Sequence, residues 1–286
     1  MMAIAFLGLG AMGSRIAVKL LDAGFDLTVW NRDAAKTSAL VGKGAKVAAS
    51  PRAAVAAADI AFSMVRDDEA SRSVWLDARG GALAAMKPGA IVLESSTLTL
   101  AFVHQLAAAA GAAGLNFLDA PVVGSRPQAE AKQLIHLVGG EAGTLARAEP
   151  VLRAVGGAIH HAGPVGSGMA MKLAVNALLG VQVAAVAELL GVLARQGIAG
   201  ERAAEILGAT PVASPAAKAA MASMVAAAYA PLFPVALVEK DLTYAAAGAQ
   251  AACAETPVSR AAGAVFAAAI ANGLGAEHMT AVRKVF

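Results

Sequence analysis

The sequence predicts a doubly wound α/β unit, a parallel sheet with helices on both faces, followed by an all-helical unit. Three observations predict it. Short β-like runs alternate with helical stretches from Ala3 to about residue 160, strand signals stop after about Gly163, and the remainder is alanine-rich and broken only at glycine and proline clusters. A chain of 286 residues is long enough for two modest cores.

The first element, residues 3–7, is a five-residue apolar run that ends in glycines, and residues 14–23 read as the helix it feeds. Further strands are expected at 26–30, 46–48, 60–63, 91–94, 116–120 and 133–138, with helices at 33–43, 50–57, 68–76 and 98–111 between them. A long helix starts around Ser167. Breaks at 197–200, 211–215, 231–234 and 273–275 divide the rest into further helices. The expected boundary gives residues 1–162 to the α/β unit and 163–286 to the helical one.

Composition excludes several classes of function. Hydrophobic residues make up 58%, an excess that is largely alanine, and the 15% of charged residues is scattered, which excludes intrinsic disorder. A net charge of +3 over this length gives no reason to expect nucleic acid. The single cysteine, Cys253, cannot form an internal disulfide, which points to a reducing compartment. Residues 174–194 are apolar but carry Asn176, Gln182 and Glu188, so they read as a buried helix rather than a membrane span. The apolar residues 3–7 have no basic leader and no small-residue cleavage site after them. Together these predict a cytoplasmic protein with no membrane partner.

The strongest local signal is Gly8-Leu9-Gly10-Ala11-Met12-Gly13, after a strand and before a helix. Gly8 permits the tight turn, Gly10 lets the backbone approach a pyrophosphate, and Gly13 lets helix and strand pack closely, so the helix N-terminus faces an anion. A second strand ends about 20 residues on, as a dinucleotide site requires. There stand Asn31-Arg32-Asp33, with Lys36 one turn later. A neutral amide followed by cations favours the 2′-phosphate of NADP(H) over the bare ribose of NAD(H). Asp33 turned toward a ribose, with Arg32 merely solvating the surface, is the alternative. Met64 and Val65, past the fourth strand, would touch the adenosine half or the pyrophosphate, or serve only as loop.

Hydride transfer to a carbonyl needs a proton donor for the oxygen. Lys172 and Asn176 are four apart on the long helix and therefore share a face. Desolvation among Met169, Met171, Leu173 and Val175 would disfavour the charged lysine and bring it toward acid/base use. On spacing alone, a lysine snorkelling to the surface fits as well.

With these blocks in view, the sequence resembles the β-hydroxyacid dehydrogenases. The resemblance covers nearly the whole chain: Gly8 to Gly13 is similar to the family's glycine turn, and Ser95-Ser96-Thr97 to its cofactor and substrate segment. Lys172 and Asn176 match its catalytic lysine and amide, and Lys240-Asp241-Leu242 matches a late block whose lysine closes over the nicotinamide. The resemblance implies a metal-free NAD(P)-dependent oxidoreductase. It would move hydride between NADP(H) and a small hydroxy acid or aldehyde acid of the glyoxylate, succinic semialdehyde, tartronate semialdehyde or 3-hydroxyisobutyrate class. It implies that Thr97 and Lys240 seat the cofactor, while Ser96 and the segment Val122, Val123, Gly124 and Ser125 hold the substrate carboxylate.

The chain also departs from the family. Val123 stands where a serine is usual, so Ser125 and the backbone at Gly124 are left to hold an anion. Residues 124–134 are more similar to the succinic semialdehyde/glyoxylate reductase branch, and Lys132 replaces a usual glycine. Val123 keeps open a reductase of imines or uncharged ketones on the same fold, although Lys172 argues against it. A non-catalytic NADP-binding module is the reading from another class.

Other residues carry less. His160 and His161 are adjacent, point apart and have no ligand cluster at metal spacing. His136 reads as a strand residue with a satisfied ring. Phe233 and Tyr229 read as packing residues at helix ends. A helix apolar nearly all round from Lys172 to Leu193 exceeds what a small unit covers alone, which predicts a homodimer or homotetramer.

Overall fold

A computed structural model describes residues 2–286. Its strands are β1 (Ala3–Leu7), β2 (Asp26–Trp30), β3 (Lys46–Val47), β4 (Ile60–Ser63), β5 (Ile91–Glu94), β6 (Asn116–Asp119), β7 (Val122–Val123), β8 (Leu134–Gly140) and β9 (Gly156–Gly163). The helices are α1 (Gly13–Asp22), α2 (Ser38–Val41), α3 (Pro51–Val55), α4 (Asp68–Leu76), α5 (Leu100–Ala112), α6 (Arg126–Glu130) and α7 (Ala142–Val155). Next come α8 (Ser167–Arg195), α9 (Gly200–Ala209), α10 (Pro215–Val225), α11 (Val235–Ala251) and α12 (Pro257–Ala271). The chain forms two compact units that divide within α8, the first ending at Lys172 and the second spanning Leu173–Phe286.

Among the described residues one sheet forms in the order β3-β2-β1-β4-β5-β6-β8-β7, with β9 on β8. The parallel part is in register at its carboxyl edge, where Trp30, Leu7, Ser63, Glu94 and Asp119 form one row across five strands. Strand order reverses between β1 and β4. In a doubly wound sheet a ligand crevice opens at that point, outside the carboxyl ends. Ile4, Phe6, Ile60, Phe62, Ile91 and Leu93 are fully covered, as strands buried on both faces require. On α1 the residues Ile16, Ala17 and Leu20 form the apolar face packed on this core.

The sheet is parallel from β3 through β6, as expected, and at its far edge β8 runs antiparallel to both β6 and β7. The expected helix over 33–43 is a 3-10 turn (Ala34–Thr37) followed by a single α turn, with Asp33 capping the former through the Ala35 amide. Residues 156–163, His160 and His161 included, form the unanticipated edge strand β9, and 142–155 the unanticipated helix α7.

In the second unit Val183, Ala187 and Leu190 of α8 pack with Met221, Val238, Leu242 and Phe266. Helix α8 is long and apolar enough to cross a membrane. Met171, Leu178, Leu189 and Val192 are exposed along its other side, so the helix is covered on one side only.

Candidate functional site

The glycine turn has the geometry its spacing predicts. Gly8 has φ +102°, and a Cβ there would lie 2.4 Å from the Met64 carbonyl oxygen, so no other residue fits. A Cβ on Gly13 would lie 2.0 Å from the Gly8 carbonyl oxygen, which is the close packing that brings α1 onto the turn. A Cβ on Gly10 meets nothing within 4 Å, leaving open space at the one glycine whose backbone a pyrophosphate must approach. Leu9, Ala11 and Met12 complete the turn ahead of α1, and Met12 precedes its first residue. The site therefore fits a dinucleotide.

Asn31 ties the end of β2 to this turn. Its Oδ1 accepts from the Leu9 amide at 2.8 Å, and its Nδ2 donates to the Asp33 carbonyl at 2.9 Å. The Leu9 amide is thereby withdrawn from any phosphate. Arg32 and Lys36 are exposed on the following segment, and neither forms an ion pair among the described residues.

A buried network holds the next loop against Gly8. Glu94, wholly buried, accepts from Ser71 Oγ at 2.7 Å, Trp75 Nε1 at 2.8 Å and the Ser96 amide at 2.8 Å, so its charge is met by three donors. Ser96 Oγ in turn accepts from the Val65 amide at 2.8 Å. Ser96 is wholly buried. In this geometry its oxygen holds the loop at Val65. Thr97, next in sequence, is half-buried.

Val122 and Val123 are not loop but the strand β7, paired with His136 and Ile135 of β8. Gly124, at φ +121°, releases the chain from this strand. Ser125 is then the N-cap of α6, with its amide donating to Gln128 Oε1 at 2.9 Å. Of the expected anion-holding segment, only Gly124 is exposed.

His136 is fully buried, and neither ring nitrogen makes a hydrogen bond of good geometry among the described residues, which corrects the expectation of a satisfied ring. Burial lowers its pKa to about 4, although the Ala120 and Leu152 carbonyls nearby pull the other way.

Helix α8 carries Lys172, which is buried, and Asn176, buried one turn on. In the second unit Asn176 Nδ2 donates to Asp241 Oδ2 at 2.6 Å, while Lys240 Nζ lies 2.8 Å from Asp241 Oδ1. The Lys240 ammonium also sits over the Tyr244 ring, 4.3 Å from its centroid. Asp241 thus gathers two of the expected residues, a role not anticipated from the sequence. The signal was present, since Asp241 shares a buried stripe with Val235, Val238 and Leu242. Asp119 is the other residue missed. It is buried at the end of β6 and accepts backbone hydrogen bonds at the start of α8. No cluster of three or more potential metal ligands exists among the described residues.

Comparison with known proteins adds to this geometry. Residues 3–163 match the family described as the NAD-binding domain of 6-phosphogluconate dehydrogenase. Residues 166–286 match the one described as NAD-binding of NADP-dependent 3-hydroxyisobutyrate dehydrogenase. The chain is 34% identical to the chloroplastic glyoxylate/succinic semialdehyde reductase 2 of Arabidopsis thaliana, over 98% of its own length and 78% of that protein's. It is 35% identical to the NAD-dependent L-serine dehydrogenase of Pseudomonas aeruginosa, over 99% and 97% of the two lengths. Among solved structures, Mycobacterium tuberculosis 3-hydroxyisobutyrate dehydrogenase with L-serine superposes with a TM-score of 0.91 at 31% identity, covering 100% of this chain and 99% of that one.

Proposed function

The chain belongs to the β-hydroxyacid dehydrogenase family and is an NAD(P)-dependent oxidoreductase acting on hydroxyl groups; on that premise we propose that it reduces small aldehyde acids, of the glyoxylate and succinic semialdehyde kind, with NADPH as the preferred coenzyme. The observation that carries the reading is a buried lysine, Lys172, one helical turn before a buried asparagine whose amide is fixed by Asp241.

The nicotinamide, when bound, supplies or accepts the hydride. The chain's own residues do the rest. Lys172 donates a proton to the carbonyl oxygen in reduction and takes it back in oxidation. Asn176, with its Nδ2 committed to Asp241, presents Oδ1 to the substrate hydroxyl or to the lysine. Thr97 and Lys240 seat the nicotinamide end, and Arg32 and Lys36 meet the 2′-phosphate. Met64 and Val65, held by Ser96, border the pyrophosphate. Gly124, with Ser125 beside it, offers backbone to the substrate carboxylate.

Val123 supports a second reading, reduction of an imine or uncharged ketone, because an apolar side chain stands where the family places a hydroxyl. The exposed apolar side of α8 also supports a homo-oligomer. It runs from Met171 to Val192 with Glu188 as its one ionisable residue in between, apart from the inward-facing Lys172, and a second copy would bring a matching surface to it.

The reading is tested by following NADPH and NADH oxidation in parallel with glyoxylate, succinic semialdehyde, tartronate semialdehyde and a cyclic imine. Turnover of an aldehyde acid, faster with NADPH, is expected. Turnover of the imine alone would establish the second reading. Tight NADPH binding without any turnover would overturn both in favour of a silent coenzyme-binding module.

A further inference from the structure

The first turn of α8 is fastened to the sheet by one side chain. Asp119, at the carboxyl end of β6, is wholly buried, and its two oxygens are divided between two amides: Oδ1 accepts from Gly166 and Oδ2 from Met169, each at 2.8 Å. One of the two residues between them in the chain, Gly168, is glycine for a steric reason. A Cβ on Gly168 would lie 2.4 Å from the Leu137 carbonyl oxygen and 2.7 Å from that of Asp119. On the sheet side, a Cβ on Gly139 would lie 2.5 Å from Asp119 Oδ1. The helix start is therefore drawn onto β6 and β8 with no room for sliding. A third tie comes from the Leu98 amide, which donates to Met169 Sδ at 3.3 Å, just beyond Thr97.

A carboxylate in this position meets amides left without intrahelical partners and the positive end of the helix dipole. Burial raises the Asp119 carboxyl above the usual range, and the Gly166 and Met169 amides oppose that rise, as they would for a charge held in place by the helix. Lys172 follows Met169 by three residues, less than one turn, so the rotation and height of the first turn are inherited directly by its Cα.

We infer that Asp119 is a positioning residue for Lys172, setting the phase of α8 through the Gly166 and Met169 amides. This rests on the reading of Lys172 as proton donor. The carboxylate touches neither substrate nor coenzyme and acts only through the helix. Misplacement of a reacting group by about 1 Å can cost on the order of 10²-fold in rate.

The test uses the full-length protein carrying Asp119→Asn, in which the amide NH2 opposes one of the two backbone donors. Expected are a kcat lowered at least about tenfold, an NADPH Kd within about twofold of the parent, and a displaced Lys172-dependent limb in the pH profile of kcat. A merely structural role would instead alter coenzyme binding and stability while leaving that limb where it was. Gly168→Ala, which pushes the same turn outward without altering charge, is expected to reproduce the loss in kcat. A folded Asp119→Asn protein with parental kcat and pH profile overturns the inference. So does rapid deuterium exchange at the Gly166 and Met169 amides in the unaltered protein, whatever the variants do. Lys172→Ala separates this from the underlying reading. If that variant is inactive while Asp119→Asn is normal, only the positioning role fails, and if it is fully active the proton donor itself is misassigned.

Discussion

Asn176 and Asp241, 65 positions apart in sequence, are joined by a buried hydrogen bond of 2.6 Å from the asparagine Nδ2 to the carboxylate Oδ2. The bond fixes which way the amide faces. The other carboxylate oxygen, Oδ1, faces the Lys240 ammonium at 2.8 Å as an ion pair.

Asp241→Ala would leave the Asn176 amide buried and unpaired, at a stability cost of about 1–3 kcal/mol. Released to rotate, Asn176 would no longer present a defined Oδ1, so kcat is expected to fall by about tenfold or more. Denaturant unfolding and steady-state kinetics on the same preparation check both. Parental kcat would show that Asn176 needs no orientation.

Lys132 has φ +58°, in the left-handed region where a side chain is disfavoured. Lys132→Gly is expected to stabilise the protein by about 0.5–1 kcal/mol, the relief of strain exceeding the added freedom of the unfolded chain. A raised urea midpoint with unchanged turnover is the expected result.

The depressed pKa of His136 makes a signed prediction. Its ring is held neutral in the fold, with a pKa of about 4 against an ordinary 6.5, so its contribution is present above about pH 6.5 and is lost as pH falls toward 4. The unfolded chain binds a proton over that window and the folded chain does not. At about 1.4 kcal/mol per pH unit, the loss is on the order of 2–3 kcal/mol. His136→Gln is expected to flatten the acid dependence of unfolding between pH 6.5 and 4.5. Asp119, shifted the opposite way, is common to both proteins and cancels in the difference.

Coenzyme choice is tested at Asn31. Asn31→Asp keeps an acceptor for the Leu9 amide, so the turn is expected to survive, but it places a carboxylate where the 2′-phosphate would lie. The ratio of kcat/KM for NADPH over NADH is expected to fall by about tenfold. An unchanged ratio would remove the basis for preferring NADP(H).

The parts legible in the sequence are those with local causes. Strands β1, β2, β4 and β5 are compact apolar runs, and α4 has a capping aspartate, Asp67, whose Oδ1 accepts from Ala70. The glycine turn was legible because steric demand at Gly8 and Gly13 is written in residue type. Strand β9 was not, because its Gly-Gly start and exposed His160 and His161 give no apolar alternation. Helix α7 was hidden by Gly143 and Pro150 within it. At the site, spacing puts Lys172 and Asn176 on one face of a helix but leaves Lys172 open to snorkelling, and its burial is seen only in the fold. Spacing does not mark Asp119 and Asp241, because the groups they bind lie 47 to 65 positions away and a lone carboxylate in an apolar run acquires meaning only once folded.

The most direct test of the central claim is kcat for Lys172→Ala with NADPH and the best aldehyde acid, measured beside the coenzyme Kd. Loss of roughly 10²–10⁴-fold in kcat with coenzyme binding preserved is the predicted result, the magnitude expected for removal of a positioned proton donor. Near-normal turnover in that variant would contradict the account.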